Sequence, residues 1–202
     1  MRHSTLGISG AALLLMGAAD APPMITPDRA GPVLMDGACA DRTWQEARAY
    51  PMAGGASVRF AANRDFLYIC VTPPAESYAN VDLYIRHGDG IDNLHASAQL
   101  GELRKGAAGW PDYQWWNHRG WAANWTPFTG MRLEGERPRA RFGFVPGREF
   151  QIARSKYPRA TLDIMVHVHE LATPAGLTGE ARFPAGASDD APASWARLQL
   201  DR

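Results

Sequence analysis

The chain has 202 residues, 46% of them apolar, and its 21 lysines and arginines balance 21 aspartates and glutamates. That length supports one domain with a real core and falls short of two. A balanced charge leaves no overall field to gather nucleic acid, and no stretch is long and apolar enough to be read as a membrane span.

The chain opens MRHS, continues with the apolar run LGISGAALLLMGAA and then reads DAPP. A charged start, an apolar middle and small residues form the pattern of a secretory signal peptide. Cleavage after Ala19 or after Ala21 both satisfy the small-residue rule, so the expectation is an exported protein, periplasmic or secreted. Residues 20–32, rich in Pro and Gly, read as an extended linker. A single domain is expected over 33–202.

The only cysteines are Cys39 and Cys70. In an oxidising compartment the pair reads as a disulfide closing about thirty residues, worth on the order of 3 kcal/mol. Two free thiols, with Cys70 buried in a strand, are the alternative, because sequence does not give the Cα separation. Neither spacing suits a redox CxxC or a metal site.

Past the linker, TWQEARA (43–49) reads as one short helical turn or an irregular crossing. ASVRFAANRDFLYICVTP gives two strands around a turn at Asn63 to Asp65, and Pro73 and Pro74 end the second. In VDLYIRH, Val81, Leu83 and Ile85 alternate with Asp82, Tyr84 and Arg86. NLHASAQL reads as one strand in which Leu94, Ala96, Ala98 and Leu100 alternate with His95, Ser97 and Gln99. ARFGFVP, REFQIAR, TLDIMVHVHE and SWARLQL complete the strands. Period-two patterning with Gly and Pro punctuation predicts an all-β antiparallel β-sandwich with at most one short helix.

Three marks carry a resemblance. The stretch VLMDGACADRTWQEA joins an Asp36-Gly37 turn to Trp44, FLYICVTPP leads into VDLYI, and FPAGASDDAPASWARLQL closes on a Trp before alternating leucines. Together they span about residues 33–200 and resemble family 9 carbohydrate-binding modules. The resemblance implies a jelly-roll-like sandwich, a fold shared with the haem- and sugar-binding DOMON domains, and a sugar held between tryptophans. It places no family binding residue on a particular position here.

The densest chemistry is GWPDYQWWNHRGWAANW (109–125), which holds Trp110, Trp115, Trp116, Trp121 and Trp125. An indole face matches the C–H face of a pyranose, and neighbouring planar polar groups suit its hydroxyls. The candidate carbohydrate site is therefore Trp115, Trp116, Trp121, Tyr113, Asp112, Asn117, His118 and Arg119. Trp110 and Trp125 read as anchors of the stretch, and Trp44 and Trp195 as core. The competing reading makes the stretch a covering for the core, or a dock for a partner protein.

Two further sites are weighed. On TLDIMVHVHE, Asp163, Met165, His167 and His169 share one strand face, which offers a metal site from Asp163, His167 and His169 or a haem pair from Met165 and His167. A wet sheet face carries such residues without any ligand. In HGDGIDN, Asp89 and Asp92 are donors for a possible calcium ion, against a plain turn. Asp112, Glu102, Glu149 and Asp163 form no paired-acid motif, and no nucleophile elbow follows the leader. The reading is an exported, non-catalytic carbohydrate-binding domain with no obligate cofactor.

Overall fold

The computed structural model describes residues 21–112, 114–115 and 120–200, with the side chains of 114–115 left aside. Tyr113, residues 116–119, residues 201–202 and residues 1–20, which hold the expected signal peptide, lie outside the described residues.

In chain order the elements are β1 (Met24–Ile25), β2 (Asp28–Arg29), α1 (Arg42–Glu46), β3 (Ala49–Pro51), β4 (Ser57–Ala62), β5 (Phe66–Thr72), β6 (Asn80–His87), β7 (Gly90–Ala96) and β8 (Leu100–Lys105). There follow β9 (Gln114–Trp115), β10 (Trp121–Ala123), β11 (Phe128–Glu134), β12 (Arg137–Phe142), β13 (Arg148–Ala153), β14 (Thr161–Thr173), β15 (Gly176–Phe183) and β16 (Ala196–Gln199). An eight-stranded sheet runs β1-β16-β14-β6-β7-β8-β9, with β15 also on β14. A six-stranded sheet runs β10-β13-β5-β4-β2, with β3 also on β4. All pairings are antiparallel except β1 with β16 and β2 with β4.

The core lies between the sheets, built from the inward alternate positions that the sequence marked. Val81, Leu83 and Ile85 of β6 and Leu162, Ile164, Val166 and Val168 of β14 meet Val58, Phe60, Leu67, Ile69, Phe150 and Ile152. Each such side chain, moved from water, contributes roughly 1.5–3 kcal/mol. Trp44 packs with Tyr68 and Cys70 on the far side of the six-stranded sheet.

Cys39 and Cys70 form a disulfide with their Cα atoms 6.0 Å apart, tying the chain before α1 to β5. Nearby, the Asp36-Gly37 turn has a physical reason. Gly37 has φ +80°, and a Cβ there would meet Asn124 Nδ2 at 2.3 Å. Its N–H donates to Glu149 Oε2 at 2.6 Å, while the Trp44 indole donates to Glu149 Oε1 at 2.7 Å. One buried carboxylate therefore joins both halves of the opening signature.

Several expectations change. The described part of the expected 20–32 linker is no linker, because β1 and β2 within it add edge strands to both sheets. NLHASAQL is not one strand: Ser97 Oγ and backbone groups of Ser97 and Gln99 bond across a tight turn, so β7 ends at Ala96 and β8 begins at Leu100. The sequence reading also missed β11 and β15. The β11–β12 hairpin projects with almost every residue exposed. Its pairing puts Phe128, Met131, Leu133 and Phe142 on one face and Arg132, Arg139 and Arg141 on the other.

Candidate ligand-binding face

The site begins with strand alternation. With Val81, Leu83, Leu94, Val166 and Val168 committed to the core, their neighbours Asp82, Tyr84, Asn93, His95, His167 and His169 must face outward from the eight-stranded sheet. Pairing then makes neighbours of residues far apart in sequence: Asp82 stands opposite both His95 on β7 and His167 on β14. β15 brings Arg182 opposite His167 and carries Glu180 on the same side.

The outward groups bond to one another. Asp82 Oδ1 lies 2.9 Å from His95 Nδ1, and Asp82 Oδ2 lies 3.0 Å from His169 Nε2. His95 Nε2 reaches Ser97 Oγ at 2.9 Å. His167 Nε2 lies 3.1 Å from Glu180 Oε2, and the rings of His167 and His169 sit 3.7 Å apart. Tyr84 donates its hydroxyl to Asp189 Oδ2 at 3.2 Å. Among the described residues, His167 Nδ1, Asn93 Oδ1, Asp189 Oδ1 and Arg182 Nε are buried without a hydrogen-bond partner.

Burial by itself would raise the Asp82 carboxyl, but the hydrogen bonds from His169 and His95 outweigh it and hold the group well below the usual range. Burial lowers His167, and the neighbouring charge of His169 adds to the effect. The His167 hydrogen bond, then Arg182, lower Glu180.

The tryptophan-rich stretch enters over this face. Trp110 rests edge-on against Tyr84 with ring centres 5.9 Å apart, and Lys105 Nζ lies 5.7 Å from the Trp110 ring centre. Lys105 also pairs with Asp190. Tyr84 packs in turn on Trp195, whose indole N–H donates to Ser188 O at 2.7 Å. β9 then hydrogen-bonds to β8, with Trp115 opposite Gly101. The stretch is thus anchored to the eight-stranded sheet at Trp110 and again at β9, and Asp112 between them is exposed.

The expected site residues divide. Tyr113, Trp116, Asn117, His118 and Arg119 lie outside the described residues, as does the Trp115 side chain. Trp121 is a correction. It is only 4% exposed, its ring stacks on Phe150, and its indole N–H donates to Glu102 at 2.8 Å, so its faces belong to the core. Trp110 anchors the stretch as expected, whereas Trp125 is 60% exposed and does not.

The strand-face alternatives also change. Asp163 does not join the histidines, because Arg197 holds it at 2.8 Å and Arg86 stands at 3.8 Å. Glu180 takes the place given to Asp163. Met165 is sealed in a cluster with Tyr84, Ala187 and Trp195, so its sulfur is not presented beside His167 as a haem ligand. Asp92 is not a calcium donor in an open turn: it is fully buried, and Arg104, Tyr157 and His87 occupy its oxygens.

Sequence reasoning placed Asp82, Tyr84 and His95 on the outward side of their strands but did not join them. It missed Asn93, Glu180 and Asp189 altogether. The outward alternation was the available signal; strand order and the β14–β15 pairing were not.

No protein-family model and no curated protein sequence matches the chain. Solved structures do. A carbohydrate-binding module of family 9 from Caldicellulosiruptor kristjanssonii, in complex with glucose, superposes with a TM-score of 0.51 at 15% identity over 88% of this chain and 95% of that one. A candidate carbohydrate-binding protein from Bacteroides uniformis superposes with a TM-score of 0.54 at 9% identity over 90% of this chain and 100% of that one. The chain therefore has the β-sandwich fold seen in family 9 carbohydrate-binding modules.

Proposed function

We propose that this protein is an exported, non-catalytic carbohydrate-binding domain, and that the stretch 110–119 and the adjoining outer face of the eight-stranded sheet hold the sugar. The observation that carries the reading is the seating of Trp110 on Tyr84. It brings the start of the indole-rich stretch beside a face where Asn93 Oδ1 has no hydrogen-bond partner. Aromatic rings supply the platform, and fixed polar atoms at its edge supply orientation. Trp115, Trp116 and Tyr113 are the proposed platforms. Asp112, Asn117, His118 and Arg119 are the proposed hydroxyl partners.

The carboxylates favour binding over hydrolysis. Glu102 accepts from Trp121 and Lys156, Glu149 accepts from Gly37 and Trp44, and Asp163 accepts from Arg197. Each is engaged in holding the fold, whereas a glycosidase needs two acids free to act on one bond. The N-terminal signal-peptide pattern supports export, and the Cys39–Cys70 disulfide suits an oxidising compartment. No helix among the described residues is long and apolar enough to cross a membrane.

Affinity electrophoresis against soluble xylan, glucans and galactans, followed by calorimetry with the matching oligosaccharide, tests the proposal. The expected result is retardation on at least one glycan, lost in Trp116→Ala or Trp115→Ala with the circular dichroism spectrum unchanged. Retardation by none of the glycans, with the chain folded, overturns it.

A further inference from the structure

We propose that His167, His169 and Glu180 form a binding site for a divalent transition-metal ion of the zinc class. The inference stands apart from the carbohydrate reading and uses none of the tryptophan stretch.

The donor set is built by the fold. One potential ligand atom from each of the three residues lies within 4.8 Å of the others. His167 Nε2 and Glu180 Oε2 are 3.1 Å apart. Two ligands on a tetrahedral ion with bonds of about 2.0–2.1 Å are separated by about 3.3 Å, so this pair already spans one edge of the coordination figure. The His169 ring centre lies 3.7 Å from that of His167, so its imidazole stands beside the same pair. Two imidazoles with one carboxylate are borderline donors, suited to zinc, cobalt or nickel rather than to calcium.

The surroundings also fit a metal better than an empty face. Asp82 Oδ2 accepts from His169 Nε2, which fixes the tautomer and leaves Nδ1 with the lone pair. His95 holds the other Asp82 oxygen, so the carboxylate cannot swing away.

Without a metal, His167 Nε2 is bonded to Glu180 Oε2, and its buried Nδ1 is left with no hydrogen-bond partner. With a metal on Nε2, the proton must sit on Nδ1. Asp189 Oδ1, itself buried and without a hydrogen-bond partner, stands 4.0 Å from that nitrogen. Metal binding therefore turns an N–H that has no hydrogen-bond partner toward Asp189 Oδ1, which also faces Arg182 Nε at 3.7 Å. Three protein ligands leave the fourth position to water.

The test is zinc titration by calorimetry on the untagged, chelator-treated full chain, with cobalt absorption as a second readout. The expected result is one zinc per chain, and visible cobalt bands whose intensity marks tetrahedral coordination. Glu180→Gln, a largely solvent-exposed change, and His169→Ala should each weaken binding at least tenfold. Asp163→Ala, on the same strand but held by Arg197, should bind as the unmodified chain does. Absence of stoichiometric zinc binding overturns the proposal, as does binding that is undiminished in a folded Glu180→Gln, His169→Ala double variant.

Discussion

Two buried aspartates lie on neighbouring strands of one sheet, Asp92 on β7 and Asp82 on β6, and they are held in opposite ways. Asp92 is fully covered. It takes two N–H groups from Arg104 at 2.7 and 3.0 Å and the Tyr157 hydroxyl at 3.0 Å, with His87 Nε2 at 3.2 Å. Burial would raise its carboxyl, but the Arg104 hydrogen bonds and charge, then Tyr157 and His87, leave it below the usual range. Asp82 is nearly as buried and is also depressed, yet two imidazoles hold it. A guanidinium is permanently charged and has no lone pair to offer, so it closes the site it occupies. His95 spends its other nitrogen on Ser97, but His169, bonded to Asp82 through Nε2, still offers Nδ1. Burial and a shifted carboxylate therefore do not separate a structural knot from a ligand site; what the partners can still do separates them.

The sharpest break of this comparison is Asp92→Ala. It should cost about 3 kcal/mol in urea denaturation at pH 7, at the low end for a broken buried pair because Arg104 can turn toward water. Zinc titration and glycan retardation should not change. A loss well under 1 kcal/mol would erase the structural side of the contrast.

Asp82→Asn comes next in size, at about 1–2 kcal/mol, because two hydrogen bonds lose an ionised acceptor. Unlike the Asp92 variant, it should also weaken zinc binding about tenfold or more, since the ring it orients is a proposed ligand. Unchanged zinc affinity in a folded Asp82→Asn chain would remove the difference between the two aspartates.

The smallest expected effect is a slope. The folded-state pKa of Asp92 lies below its unfolded value of about 3.9, so its stabilisation is present above that pH. It is lost as the pH falls from about 4 through the lower folded value. Asp92→Asn should therefore show a shallower fall in stability between about pH 4 and pH 2 than the unmodified chain, measured by urea midpoints. An equal slope would mean that Asp92 carries none of the acid sensitivity.

Much of the frame was legible because alternation is a local property. Val81, Leu83 and Ile85 face the core because a strand has period two, and no other part of the chain is needed to say so. The Asn63 turn was readable for a similar reason: its side chain accepts the N–H groups of Asp65 and Phe66 at 3.0 and 2.8 Å. The missed turn at Ser97 had an equally local cause, but two small residues kept the apolar alternation intact through it. Among the tryptophans, composition alone could not sort Trp121 from its neighbours. Its burial depends on Phe150 beneath it and Glu102 beside it, which arrive from β13 and β8.

Local pattern was enough to specify an all-β sandwich with at most one short helix and a face bearing histidines, while it left the Cys39–Cys70 disulfide open against two free thiols. Tertiary structure decided which histidine meets which carboxylate. Asp163 lies four residues from His167 on the same strand and pairs with Arg197, whereas Glu180 lies thirteen residues away and meets the ring. The reason is geometric: side chains along one strand move apart with every pleat, while strand pairing sets distant residues side by side. Strand order is a property of the whole packed chain, so the cluster becomes visible only after folding.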